Sequence, residues 1–135
     1  MKRYLVLLSF IALAMLSGCQ KKWETEIELG VNNTRINIPW ANAQDNYDFT
    51  FPVYSNGDWT IRHAEGGDWL SLGMESGSGT KYVPVHTLPN ILTNPRVVRV
   101  EVKGSGKTIQ VYFVISSETV KAEDIDDALL DSYLY

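Results

Sequence analysis

Between Glu26 and Ser116 apolar and polar residues alternate with a period of two, in short runs broken by turn residues. Phe49, Phe51 and Val53 alternate with Thr50, Pro52 and Tyr54, and Val83 and Val85 with Tyr82, Pro84 and His86. Val98, Val100 and Val102 alternate with Arg99, Glu101 and Lys103; Ile109, Val111, Phe113 and Ile115 do so with Thr108, Gln110, Tyr112 and Val114. Successive strand side chains point to opposite faces, so each run predicts a strand with one buried row and one row toward solvent. Trp59 and Ile61 form a further buried row, and Ile27 to Val31 and Arg35 to Ile38 add two more strands. Asn56-Gly57, Gly66-Gly67, Gly77-Ser78-Gly79 and Gly104-Ser105-Gly106 supply turn chemistry, the last of them between two strands of a hairpin. The pattern predicts an all-β sandwich of about seven or eight short strands with no helix between them. Pro39, Pro52 and Pro84 belong at strand ends, edges or bulges, because proline has no N–H for a ladder.

After Ser116 the alternation stops, and residues 117–135 form an acidic tail in which Ile125, Leu129 and Tyr133 stand four apart. Two readings are open: a frayed tail, or a short helix that docks on the sandwich or on a partner through Leu129, Leu130 and Leu134.

The other end carries a different signal. Lys2 and Arg3 precede an apolar run from Leu5 to Leu16, followed by small residues. A membrane-spanning helix needs about 20 apolar residues, so residues 1–18 read as a removable secretory segment. Leu16-Ser17-Gly18-Cys19 resembles the bacterial lipoprotein box, in which the cysteine thiol takes a diacylglyceryl group and becomes the new N-terminus. Cys19 is the single cysteine of the chain, so no intramolecular disulfide competes for it. Residues 19–25 then form a lipidated N-terminus and linker, and 26–116 the sandwich. Gln20 in place of an aspartate, by resemblance to Gram-negative lipoproteins, implies the outer membrane; which face is occupied is left open, because Lys21 and Lys22 precede the acids Glu24, Glu26 and Glu28.

With 16 acidic against 12 basic residues the chain is net negative, and loss of Lys2 and Arg3 makes it more so. A nucleic-acid role would need a basic face, so that partner class is excluded. What remains after residue 18 is enough chain for a single core.

Several motifs follow one another in order: Phe49-x-Phe51-x-Val53 before Asn56 and Trp59, Asp68-Trp69-Leu70, Gly77-x-Gly79, Val83-x-Val85, Asn90 and Arg96. Together with the last two strands they resemble the BACON domain, a Bacteroidetes-associated module found beside carbohydrate-active domains. The resemblance covers roughly residues 45–116. Members often close on a glutamine after the final strand, where this chain has Val114-Ile115-Ser116. The resemblance implies an immunoglobulin-like sandwich and a glycan- or mucin-binding role.

Gly-Asp-Trp occurs twice, at 57–59 and 67–69, and both tryptophans read as core because apolar strand neighbours flank them. Tyr54, Tyr82, His86 and Tyr112 lie on the opposite rows and are the candidate glycan-binding residues. An aromatic ring face packs on pyranose CH groups while its polar edge meets hydroxyls. Exposed strand tyrosines are also ordinary surface residues.

Catalytic signatures are scarce. His63 and His86 lack further ligands at metal spacing, and there is no nucleophile elbow or phosphate loop. Asp58, Asp68 and Glu75 read as solvated turn carboxylates rather than a glycosidase pair. The sequence thus points to a non-catalytic envelope lipoprotein that binds glycans without metal or cofactor. The alternative is a structural spacer or a protein-interaction subunit of an envelope complex. Replacing Cys19 by alanine should leave the protein unprocessed or soluble; detergent partitioning equal to that of the parent overturns the lipid anchor.

Overall fold

Backbone pairing gathers the alternating runs into two sheets. The computed structural model describes residues 27–134, so segment 1–18 and Cys19 lie outside the described residues. The strands are β1 (Leu29–Val31), β2 (Arg35–Ile38), β3 (Tyr47–Ser55), β4 (Asp58–Glu65), β5 (Leu70–Leu72), β6 (Ser76–Ser78), β7 (Lys81–Thr87), β8 (Arg96–Gly104) and β9 (Lys107–Ile115). β5 and β6 have three residues each, too few to show a period-two row, which explains the excess over the sequence expectation. One sheet has the order β1-β3-β7-β5 and the other β2-β9-β8-β4-β6. All pairings are antiparallel except β2 with β9.

The inward rows are the predicted ones. Phe51, Val53, Val83 and Val85 of the four-stranded sheet face Val98, Val100, Val111 and Phe113 of the five-stranded sheet, all buried in one cluster. Phe51 meets Phe113 edge to face, with ring centroids 5.5 Å apart and planes at 68°. That geometry aims the electropositive edge of one ring at the electronegative face of the other.

Both tryptophans are core, at 2% exposure each. The Trp59 indole lies against Gly77, where an added Cβ would stand 2.5 Å from the ring. Its Nε1 donates to the Gly79 carbonyl at 2.7 Å. The glycines of Gly77-Ser78-Gly79 therefore serve the ring, and Gly77 and Ser78 belong to β6 rather than to a turn.

Two local expectations need correction. Pro52 and Pro84 stand inside β3 and β7, yet each is one residue past the last pairing of a short flanking strand, Val31 with Val53 and Leu72 with Val85. Their missing N–H groups fall where the neighbour has run out. Asn56-Gly57 is a turn, as expected, and it carries the chain from one sheet to the other. A single turn of helix, α1 (Trp40–Ala43), interrupts the strands; the Pro39 carbonyl accepts from Asn42 and Ala43 at 3.0 and 2.9 Å. The Ser105-Gly106 hairpin is as predicted, with both residues at positive φ, 51° and 73°.

The tail docks on the sandwich, as two 3₁₀ segments, Ala122–Asp124 and Asp127–Tyr133. Ala122, Ile125 and Leu130 pack on Val97 and Val114, on the outer face of the five-stranded sheet. Leu129, predicted on the docking stripe, is exposed instead, because the 3₁₀ winding differs from the 3.6-residue helical period. Arg35 clamps the tail: Nη1 meets Asp127 Oδ1 at 2.5 Å, and Nη2 donates to the Ala122 and Ile125 carbonyls at 2.7 Å each. Tyr112 donates to Asp131 Oδ1 at 2.8 Å. Burial first, and then that hydrogen bond, push the Tyr112 phenol above its ordinary value, with Arg99 pulling the other way.

Trp59→Ala and Trp69→Ala should each destabilise the fold by about 3–5 kcal/mol, read in denaturant melts; melting unchanged from the parent would put the rings outside the core. Tyr112 is raised in the folded state, so its stabilising share is complete below about pH 10 and is lost as pH rises through the folded pKa. Tyr112→Phe should flatten that alkaline loss in melts taken between neutral and strongly alkaline pH; an unchanged profile refutes the assignment.

Candidate functional site

The outer face of the four-stranded sheet is built by the polar rows of β3 and β7. Register sets Tyr82 opposite Pro52, Pro84 opposite Thr50, and His86 opposite Asp48. Tyr54 is then the diagonal neighbour of Tyr82, at the roughly 7–8 Å spacing that aromatic side chains can bridge. Tyr82 is 62% exposed. The Tyr54 hydroxyl accepts from Asn32 Nδ2 at 3.2 Å, which orients that ring. His86 Nδ1 lies 2.6 Å from Asp48 Oδ1, so the imidazole is held at one end of the face. The two prolines give the face a rigid, flat apolar centre between tyrosine and histidine.

Of the four predicted residues the structure brings together Tyr54, Tyr82 and His86. Tyr112 is a correction: β9 belongs to the other sheet, and its hydroxyl is engaged by the tail. Period-two alternation gives the side of a strand but not the sheet that the strand joins.

Two cavities adjoin this face. A groove of about 350 Å³ lies between Thr50, Pro84 and His86 on one side and Ser71, Leu72 and Gly73 on the other. A larger cleft of about 750 Å³ opens at the sandwich edge, between β4 and β5. Ile61, Leu70 and Leu72 supply its apolar lining, and His63, Asp68 and Glu75 are among its polar groups. All the residues that line it come from the continuous segment 60–75. His63 shares the inward row of Trp59 and Ile61, and the ladder with β8 shifts register just after it.

Sequence reasoning missed this cleft. Asp68 and Glu75 look like turn carboxylates in the sequence, and they converge only because β5 pairs in one sheet and β6 in the other. The one available signal was the density of mixed polar and apolar residues in that segment. Asn90, by contrast, is the structural cap its loop position suggests: buried, its Nδ2 donates to the Asn94 and Ser116 carbonyls at 3.1 Å each, and its Oδ1 accepts from Leu92 N at 3.1 Å. Among the described residues no helix is long and apolar enough to cross a membrane.

No family model and no curated protein matches the chain. Among solved structures it is similar to a Bacteroides ovatus GH5 xyloglucanase in complex with a XXXG heptasaccharide, at a TM-score of 0.57 and 19% identity over 67% of this chain and 19% of that one. A second likeness is to an endo-fucoidan hydrolase from glycoside hydrolase family 107, at a TM-score of 0.45 and 15% identity, over 67% of this chain and 13% of that one. The chain thus spans less than a fifth of the length of either. The first likeness shows a shared β-sandwich fold.

The expectation that the chain is not an enzyme is corrected by this comparison, since the sandwich it shares occurs within a glycoside hydrolase chain.

Proposed function

We propose that the chain is a lipid-anchored, BACON-like β-sandwich of the bacterial outer membrane that contacts glycans during polysaccharide processing. The observation that carries this reading is the outer face of the four-stranded sheet. There Tyr82 stands exposed beside Tyr54, Pro52 and Pro84, with His86 further along the same face, in a form suited to packing on sugar rings. The fold shared with part of a xyloglucanase solved with a heptasaccharide supports the same substrate class. The lipoprotein box at Cys19 supports the envelope location.

A second reading, that of a protein-interaction subunit, draws on a different surface. In the loop after β7, Ile91 is 90% exposed, with Leu88 and Leu92 exposed beside it. Neighbouring apolar residues left in water suit contact with another protein.

The test is a binding screen of the full chain in detergent against plant and host glycans, with Tyr82→Ala alongside. Tyr82→Ala should fold as the parent does and weaken binding by about tenfold or more, the equivalent of about 1.4 kcal/mol. Release of reducing ends from any bound glycan reports whether contact is followed by cleavage. A blank screen, with an envelope protein that co-purifies with the parent and is lost from Ile91→Asp, replaces the glycan reading with the interaction reading.

A further inference from the structure

We infer that the glycan path runs from the tyrosine face across β5 into the cleft between β4 and β5, and that it takes a neutral polysaccharide longer than a disaccharide. This inference rests on the glycan-contact reading proposed above.

Continuity is the first observation. Ser71 and Leu72 line both the groove and the edge cleft, so β5 is the ridge between two parts of one surface. Ser71 is exposed and pairs with His86, which places it beside the end of the tyrosine face. From Tyr82 to His86 the face runs about 13 Å along β7, and one strand spacing of about 4.8 Å then reaches Ser71. A disaccharide lying on Tyr82 does not reach the cleft; a longer chain crosses the ridge.

The cleft's chemistry suits hydroxyl-rich, uncharged rings. Leu72 supplies apolar contact above the buried Ile61 and Leu70, while Thr60, Ser71 and His63 supply donors and acceptors. β6 pairs with β4 only as far as Thr60. The Ile61 N–H is taken by the Glu75 carbonyl at 2.9 Å. Beyond that contact, among the described residues, the β4 edge has no strand partner at His63, which presents its backbone groups to sugar hydroxyls.

Charge decides between neutral and acidic glycans. Among the described residues that line the groove and the cleft, Asp48, Asp68 and Glu75 are acidic and Arg62 is the one lysine or arginine. Arg62 is already paired with Glu101 at 2.8 Å on the outward side, and His86 faces Asp48. A uronate or sulfate in the groove or the cleft meets carboxylates, and among the described residues that line them no unpaired lysine or arginine offsets these.

Calorimetric titration of the full chain in detergent with cellobiose, cellohexaose and a galacturonic acid hexamer tests the path. Cellohexaose should bind about tenfold or more tightly than cellobiose, and the acidic hexamer should bind at least as weakly as cellobiose. Ser71→Ile, a change that suits an exposed strand position, should erase the gain with length and leave cellobiose binding intact. Equal affinity for the two neutral ligands, a length gain that survives in Ser71→Ile, or tight binding of the acidic hexamer overturns the inference. Tyr82-dependent binding without a length gain sinks this path alone, whereas binding of none of the three ligands sinks it together with the reading it rests on.

Discussion

Contact between the two inner rows, centred on Phe51 against Phe113, is the constraint on which the other features depend. Each sheet has one apolar face, and neither can leave that face in water; burial contributes about 25 cal/mol per Å² of apolar surface. Once Phe113 is fixed beneath Phe51, the register of β8, β9, β3 and β7 follows, because a slip by one residue would turn the whole inward row outward. The outward rows are then equally determined. Tyr82, Pro52 and Tyr54 meet on one face because their strand neighbours are held in the core.

The same closure explains the edge cleft. The chain crosses between sheets at Asn56-Gly57, at residues 66–69 and again between β5 and β6. Trp59 anchors the start of β4 and Trp69 the end of the middle crossing, both buried, and Gly77 lets β6 pack close to the Trp59 ring. Between these anchors β5 and β6 are too short to cover the whole of β4. The uncovered length of β4 becomes one wall of the cleft, and Asp68 and Glu75 come to its rim from opposite ends of the segment.

A second, smaller core forms on the outer face of the five-stranded sheet. Val97 and Val114 occupy outward positions on β8 and β9 and would be exposed without the tail. Arg35 bonds two tail carbonyls and the Asp127 carboxylate, which substitutes for the regular hydrogen bonding that short 3₁₀ segments lack. The tail is therefore a cover for one sheet, and it takes Tyr112 out of reach of any ligand on the other.

Much of the architecture was legible in the period-two rows of β3, β7, β8 and β9, and in the burial of Trp59 and Trp69 beside apolar strand neighbours. Those features are local, because a strand's pattern states which side chains share a face. Sheet membership is not local. The sequence places Tyr82 and Tyr112 alike on polar rows, and only pairing of β7 with β3 and of β9 with β8 sends them to opposite sides of the molecule. Asn56-Gly57 reads as a turn, but that the turn crosses between sheets follows only from burying the apolar faces of both β3 and β4. The cleft is the clearest case: its residues all come from one stretch of chain, 60–75, but the space among them exists because β5 and β6 find partners in different sheets. Partner choice depends on burying both inner faces at once, a condition that no single stretch of sequence contains.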